Sequence, residues 1–333
     1  MAFPNVSDIV ATTIESRSRK ISDNVTNNNA GLAYIKDKGN VKTISGGSEI
    51  LEEVSFAENA NAGWYSGYDL LPVAAQDVIS AASFVLKQAA VPVIISGLEQ
   101  LQNAGREQMI DLMESRITVA ESTMMNMIAN GFYSDGLGAG GKEIVGLDAA
   151  VPDGGVTGRV ATGIYGGIDR VTWGFWRPYF EVSAATLTDL TIQAALNSVW
   201  SQLVRGRDRP DVIISDNFMW SVYIASLQKQ QRFTDPNQAK LGFPTIKYMD
   251  CDVVLDGGLY FPSSAWGPGA PTKTMFFLNT KYLKWRPHAQ RDMVPLAPNR
   301  RYAINQDAEV TILAFAGALT CCGQAFQGRL ESL

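Results

Sequence analysis

The sequence predicts a mixed α+β chain, and three patterns carry that prediction. A long helical periodicity runs from Asn103 to about Gly131. A helix–strand–helix succession follows from Thr186. Buried-type strand runs appear at Asp211–Ser215 and, near the end, at 307–320 in DAEVTILAFAGALT.

In the long helix, Met109, Met113, Ile117, Ala120, Met124 and Ile128 recur at steps of three or four, which places them on one face. Ile110, Leu112 and Met127 widen the stripe. Asn103 is the expected N-cap, Glu107 suits the first turn, and Gly131 is the expected C′ residue. Such a helix spans roughly 40 Å at 1.5 Å per residue. Four methionines on that face suit adaptable packing and do not imply a cofactor.

Composition narrows the function classes. The chain has 333 residues, enough for two or three cores. Only 18% of residues are charged, 30 are glycine, and the net charge is −5 with no basic block. Counterion-releasing nucleic-acid binding is therefore not signalled. Cys251, Cys321 and Cys322 lack ligand spacing and read as reduced core residues in a cytosolic setting. The N-terminus lacks a signal-peptide pattern, and no apolar run approaches a membrane span.

Taken in order, residues 1–30 carry a thin stripe of Ile9, Val10, Ile14, Ile21 and Val25. This is too little apolar surface to fold alone, so the segment reads either as a frayed terminus or as an arm lying on a neighbouring subunit. Strand-like runs at Val41–Ile44 and Ile50–Phe56 flank the turn Ser45-Gly46-Gly47-Ser48 and predict a hairpin. Trp64, Tyr65 and Tyr68 follow with no evident partner, and such a hairpin needs cover from elsewhere. Residues 78–95 read as strand, with Pro92 suiting an edge. Leu98 and Leu101 open a helical turn. The tract 134–170 is glycine-rich connector and loop, and 171–182 is packed with aromatics. Thr186–Val204 predicts a helix with Leu187, Leu190, Ala194, Leu196, Val199, Trp200 and Leu203 as its apolar set, ended by Gly206. Asn217–Gln231 is a second helix. Further strands are expected within 241–255, 275–278 and 282–285.

Chemistry-bearing motifs are weak. His288 is the only histidine, which excludes multi-histidine metal sites. The tract Gly136-Leu137-Gly138-Ala139-Gly140-Gly141-Lys142-Glu143 satisfies a glycine-rich phosphate pattern. However, Glu143 stands where a magnesium-binding hydroxyl would be needed, and the tract follows a helix rather than a strand. Glu52 and Glu53 read as a solvated carboxylate pair. Asp208, Asp211 and Asp216 read as loop and capping residues. No catalytic, cofactor or metal residue is assigned, and the chain is not expected to be an enzyme.

Several stretches together carry a resemblance: ISDNVTNNNAGLAYIKDKGNV (21–41), SGGSEILEEVSFAENANAGWYSGYD (45–69), KQAAVPVIISGLEQLQNAG (87–105), MMNMIANGFYSDG (124–136), GGIDRVTWGFWRP (166–178), PDVIISD (210–216) and DAEVTILAFAGALTCCGQAFQGRL (307–330). In order and spacing the chain resembles major capsid proteins of tailed bacteriophages, of the Hong Kong 97 fold type. The resemblance implies an N-terminal arm at 1–30, an extended hairpin loop at 31–75 and a peripheral domain with the spine helix at 76–135. It further implies an axial domain at 136–272 and return strands at 273–333. It implies a structural subunit that self-assembles, through hexamers and pentamers, into an icosahedral head enclosing double-stranded DNA. Subunit-interface residues would be Ile9, Ile14, Trp64, Tyr65 and Tyr68. The virion is the implied location, with assembly in the host cytoplasm. A decoration protein, a portal and a scaffold are candidate partners. No scaffolding segment is expected before Met1, so a scaffold would be a separate protein. Lys36, Lys38 and Lys42 receive no cross-linking role. Two other readings stand beside this one: an encapsulin-like non-viral shell and an α/β enzyme.

Overall fold

The computed structural model describes residues 29–96, 106–228, 245–257, 269–296, 301–302 and 308–333. The arm expectations at Ile9 and Ile14, the N-cap at Asn103 and the turn at Leu98 and Leu101 lie outside them. So do residues 229–231 of the second predicted helix.

The first described element is a helix the sequence reading did not anticipate. α1 (Ala30–Asp37) is capped by Asn29, whose side chain accepts from the Leu32 N–H at 2.9 Å. Its first six residues are buried. Gly31 is required by close approach, since a Cβ there would sit 2.5 Å from the Phe132 ring. A helix buried on nearly every side lacks the apolar–polar alternation that marks an amphipathic one.

β1 (Glu49–Ser55) pairs antiparallel with β2 (Ile79–Val85), not with 41–44. This corrects the expected hairpin. Residues 41–44 instead run beside β11 (Leu283–Pro287), where Lys42 N–H donates to Trp285 O and Ile44 N–H to Pro287 O, both at 2.9 Å. That strand edge offers unpaired carbonyls, and the glycine turn at 46–47 then redirects the chain. The strand predicted over 78–95 is likewise two strands, β2 and β3 (Lys87–Ser96).

The long helix, α2, spans Arg106–Tyr133. Ile117, Ala120, Met124 and Ile128 are buried, as the periodicity requires. Each such Ile or Met stabilises the fold by roughly 1.5–3 kcal/mol. Met127, expected to widen that stripe, is exposed. Gly131 lies inside the helix rather than past its end. Its bare Cα admits Ile144, which a Cβ would meet at 3.2 Å.

After α2 come two single helical turns (Gly138–Gly141 and Leu147–Ala150), the small pair β4 (Ile164–Tyr165) and β5 (Ile168–Asp169), and β6 (Tyr179–Ser183). α3 (Ile192–Leu203) begins later than the expected Thr186. Residues 188–191 form a turn, so Leu190 is exposed rather than in the helix core, as is Ala194. β7 (Val212–Ser215), α4 (Asn217–Gln228), β8 (Thr245–Tyr248), β9 (Cys251–Leu255) and β10 (Thr274–Leu278) follow. After β11 come β12 (Val294–Pro295), β13 (Arg301–Tyr302), β14 (Ala308–Cys321) and β15 (Gly328–Ser332).

Two sheets organise the described chain. One has the strand order β6-β15-β10-β7-β9-β8. The other is built on β14, which pairs with β3 along one edge and with β11, β12 and β13 along the other. Two hydrophobic cores result. The larger joins α1, α2, the β14 sheet and one face of the first sheet; the smaller lies between that sheet's other face and α3 and α4. β9 shows the division by alternation: Val254 faces the larger core and Val253 the smaller. No described helix is long and apolar enough to cross a membrane. The three cysteines are unbonded, and burial pushes the Cys321 thiol up to about 12.

Candidate assembly surface

The β1–β2 hairpin is firmly held at its root. Ile50, Glu52 and Val54 point inward by strand alternation while Glu49, Leu51 and Glu53 point out. The inward set meets the face of the β14 sheet that carries Lys284, Arg286 and Thr320. Lys284 donates to Glu52 Oε2, Arg286 donates to Oε1 through Nε at 3.0 Å and through Nη2, and the Thr320 hydroxyl donates to Oε1 at 3.0 Å. The solvated pair expected at Glu52 and Glu53 is therefore half wrong, because Glu52 is only 4% exposed. Burial alone would raise its carboxyl. The hydrogen bonds and charges of Lys284 and Arg286 outweigh that and hold it below its ordinary value.

Apolar contacts continue the seam. Phe84 meets Tyr165 edge-on at 5.3 Å, Phe56 meets Trp173 at 5.5 Å, and the Ser83 N–H donates to Gly166 O at 2.9 Å. Trp176, 1% exposed, anchors that loop from beneath through Nε1 to Tyr165 O at 2.9 Å.

The tip is different. From Ala57 to Asp77 every residue is exposed except Asn61, which is half-buried. Trp64 and Tyr68 are each 106% exposed, with Tyr65, Leu70, Leu71 and Val73 also bare. Local hydrogen bonds shape it: Asp69 accepts from the Ser66 N–H at 2.8 Å, and Asn61 donates to Ala74 O at 2.5 Å. Six large apolar side chains thus stand in open water within residues 64–73, and clustered exposed apolar side chains are the kind of surface that marks an interface.

A second buried feature ties the body together. β9 presents Asp252, Val254 and then Asp256 towards the larger core. Tyr34 of α1 donates to Asp252, and Tyr133 at the end of α2 donates to Asp256. Burial raises both carboxyls, Asp256 to about 6 despite the opposing hydrogen bonds of Tyr133 and the Gly31 N–H. The sequence gives no local signal for these pairs or for the Glu52 network, since the partners stand more than a hundred residues apart.

The other candidate residues resolve as structure. Asp208 pairs with Lys281 at 2.7 Å, Asp211 accepts from the Thr280 N–H at 2.8 Å, and Asp216 caps α4 through the Met219 N–H at 2.9 Å. Glu143 accepts from Ser134 Oγ at 2.8 Å, within a turn where Ala139 and Gly140 are left-handed. His288 is half-buried and accepts from the Gln290 N–H at 3.2 Å. No group of metal-ligating side chains converges among the described residues.

No family model matches the chain, and no curated protein does. Solved structures do. A chain of the cyanophage A-1(L) capsid asymmetric unit is similar with a TM-score of 0.62 at 18% identity, over 88% of this chain and 90% of that one. The capsid of a native GTA particle gives 0.56 at 12% identity, over 90% of each chain. The capsid of Myoviridae phage XM1 gives 0.50 at 12% identity, over 89% and 90%. Likeness over nine-tenths of both chains is likeness of the whole fold, and the fold of this chain is that of phage capsid proteins.

Proposed function

We propose that this chain is a major capsid protein, a structural rather than catalytic subunit that assembles with copies of itself into an icosahedral phage head around double-stranded DNA. The observation that carries the reading is the end-to-end likeness to capsid chains, with both chains covered almost completely. The bare aromatic tip supports it, because a subunit that works alone has no use for such a patch.

In this reading residues 1–30 are an arm on a neighbouring subunit and α2 is the spine of a peripheral domain. The extended loop, expected at 31–75, is redrawn as the β1–β2 hairpin of 49–85, with Trp64, Tyr65 and Tyr68 as contacts. The span from 136 to 272 is the axial domain, and the strands from 273 onward return to the periphery. Many modest contacts, summed by multivalency, then hold the lattice. Hexamers and pentamers, assembly in the host cytoplasm, and scaffold, decoration and portal partners belong to the same proposal.

Negative-stain microscopy of the chain, expressed with its neighbouring phage proteins, tests this. Uniform closed shells are expected. Monomers or dimers alone would overturn the proposal, and shells filled with protein cargo instead of DNA would favour a non-viral compartment.

A further inference from the structure

Charge is distributed very unevenly along this chain. Between Thr43 and Leu86 there is no Lys or Arg, but there are six acids: Glu49, Glu52, Glu53, Glu58, Asp69 and Asp77. Taking those six from 33 acids leaves 27 against 28 Lys and Arg, so the rest of the chain is slightly positive. Among the described residues, only Glu52 is neutralised within the subunit. The other five are exposed, and none has a cation partner among the described residues. The hairpin therefore extends five bare carboxylates together with Trp64, Tyr65 and Tyr68. A partner surface must match both the charge and the aromatic faces.

Arginine is the side chain that does both, pairing bidentately with carboxylates and stacking on aromatic rings. One described turn concentrates it. Arg205, Arg207 and Arg209 alternate around Gly206, which is left-handed at φ 64°, and all three are exposed. Arg205 and Asp208 exchange backbone hydrogen bonds at 2.8 and 3.1 Å and so fix the turn. Arg209 is paired with Asp250 at 2.6 Å, and Lys281 with Asp208 at 2.7 Å. Arg205 and Arg207 have no acidic partner among the described residues.

We infer that the hairpin tip is an anionic, aromatic finger whose receptor is the arginine turn Arg205–Arg209 of a second copy of this chain. The inference rests on the shell reading and names the partner surface within it. Complementary charge sets which copies meet and how fast, and like-charged faces repel the wrong pairings. The contact weakens with salt, because the Debye length falls from about 10 Å at 0.1 M to about 3 Å at 1 M.

Charge reversal tests it. Arg205→Glu with Arg207→Glu, and separately Glu58→Arg with Asp77→Arg, should each lower the particle fraction in sedimentation by about tenfold. Subunit melting should stay unchanged, since all four side chains are exposed. Combining the four substitutions should restore particles to within about threefold of wild type. Lys38→Glu with Lys42→Glu, an equal charge change elsewhere, is the control and should have little effect. If the arginine pair leaves assembly intact, if the combination does not restore it, or if the lysine pair abolishes it instead, the inference is wrong while the shell reading stands. If wild type forms no particles, both fall.

Discussion

At its root the hairpin buries Ile50, Glu52 and Val54 against the β14 sheet; some residues further on, its tip holds Trp64 and Tyr68 in water. The same ribbon thus contains two kinds of interaction. At the root, burial and paired charge fix the hairpin to its own subunit. At the tip, aromatic area and unpaired charge have no partner among the described residues of that subunit. In the proposed shell reading, the difference separates residues that specify the subunit from residues that specify what the subunit joins. It also ranks substitutions by their effect on an isolated subunit.

The largest effect is expected beneath the root. Trp176→Ala removes a fully buried indole and its hydrogen bond to Tyr165 O, and should destabilise the monomer by about 3–5 kcal/mol in chemical denaturation. A loss below about 1 kcal/mol would mean that the loop supporting the hairpin is not core.

Next is the ionic seam. Glu52→Ala leaves Lys284 and Arg286 facing each other with no carboxylate, and should cost roughly 3 kcal/mol. Because the Glu52 carboxyl is held below its ordinary value in the folded chain, its contribution is complete above the unfolded carboxylate range. It is lost as pH falls through the lowered folded value. Wild type should therefore lose more stability than Glu52→Ala on acidification below about pH 4.

Asp256 acts with the opposite sign and a smaller effect. Its folded value near 6 lies above the unfolded one, so the folded state holds the extra proton between about pH 4 and 6. That stabilisation is present below the unfolded value and disappears as pH rises to 6, at most about 3 kcal/mol. Asp256→Asn should flatten this part of the stability profile. An unchanged slope would place the titration elsewhere.

How far the sequence anticipates this depends on locality. The stripe of α2 was legible because Ile117, Ala120, Met124 and Ile128 repeat at helical spacing over many turns. The fully buried β7 and the long β14 were legible as continuous apolar runs. α1 was not, since burial on nearly all sides erases periodicity. Neither was the β1–β2 pairing, because residues 41–44 compete for the same role and the winner is decided by the distant edge of β11. Glu52 looks solvated until Lys284 and Arg286 are folded onto it. Trp200, read as core, is only half-buried against Tyr248 at the edge of the smaller core. The exposed aromatic cluster was legible because no local partner for it exists in sequence, and the structure leaves it bare.

Trp64→Ala is expected to have the smallest effect on the subunit and gives the most direct test of the whole account. Two quantities should be measured on the same preparation: the melting temperature of the isolated subunit and the fraction of protein in closed particles. Melting should stay within about one degree of wild type, because a fully exposed side chain contributes almost nothing to its own fold. The particle fraction should fall by about tenfold or more, as expected for an interface aromatic worth roughly 2 kcal/mol. Equal losses in melting for Trp64→Ala and Trp176→Ala, or particles that form as readily without the indole, would contradict it.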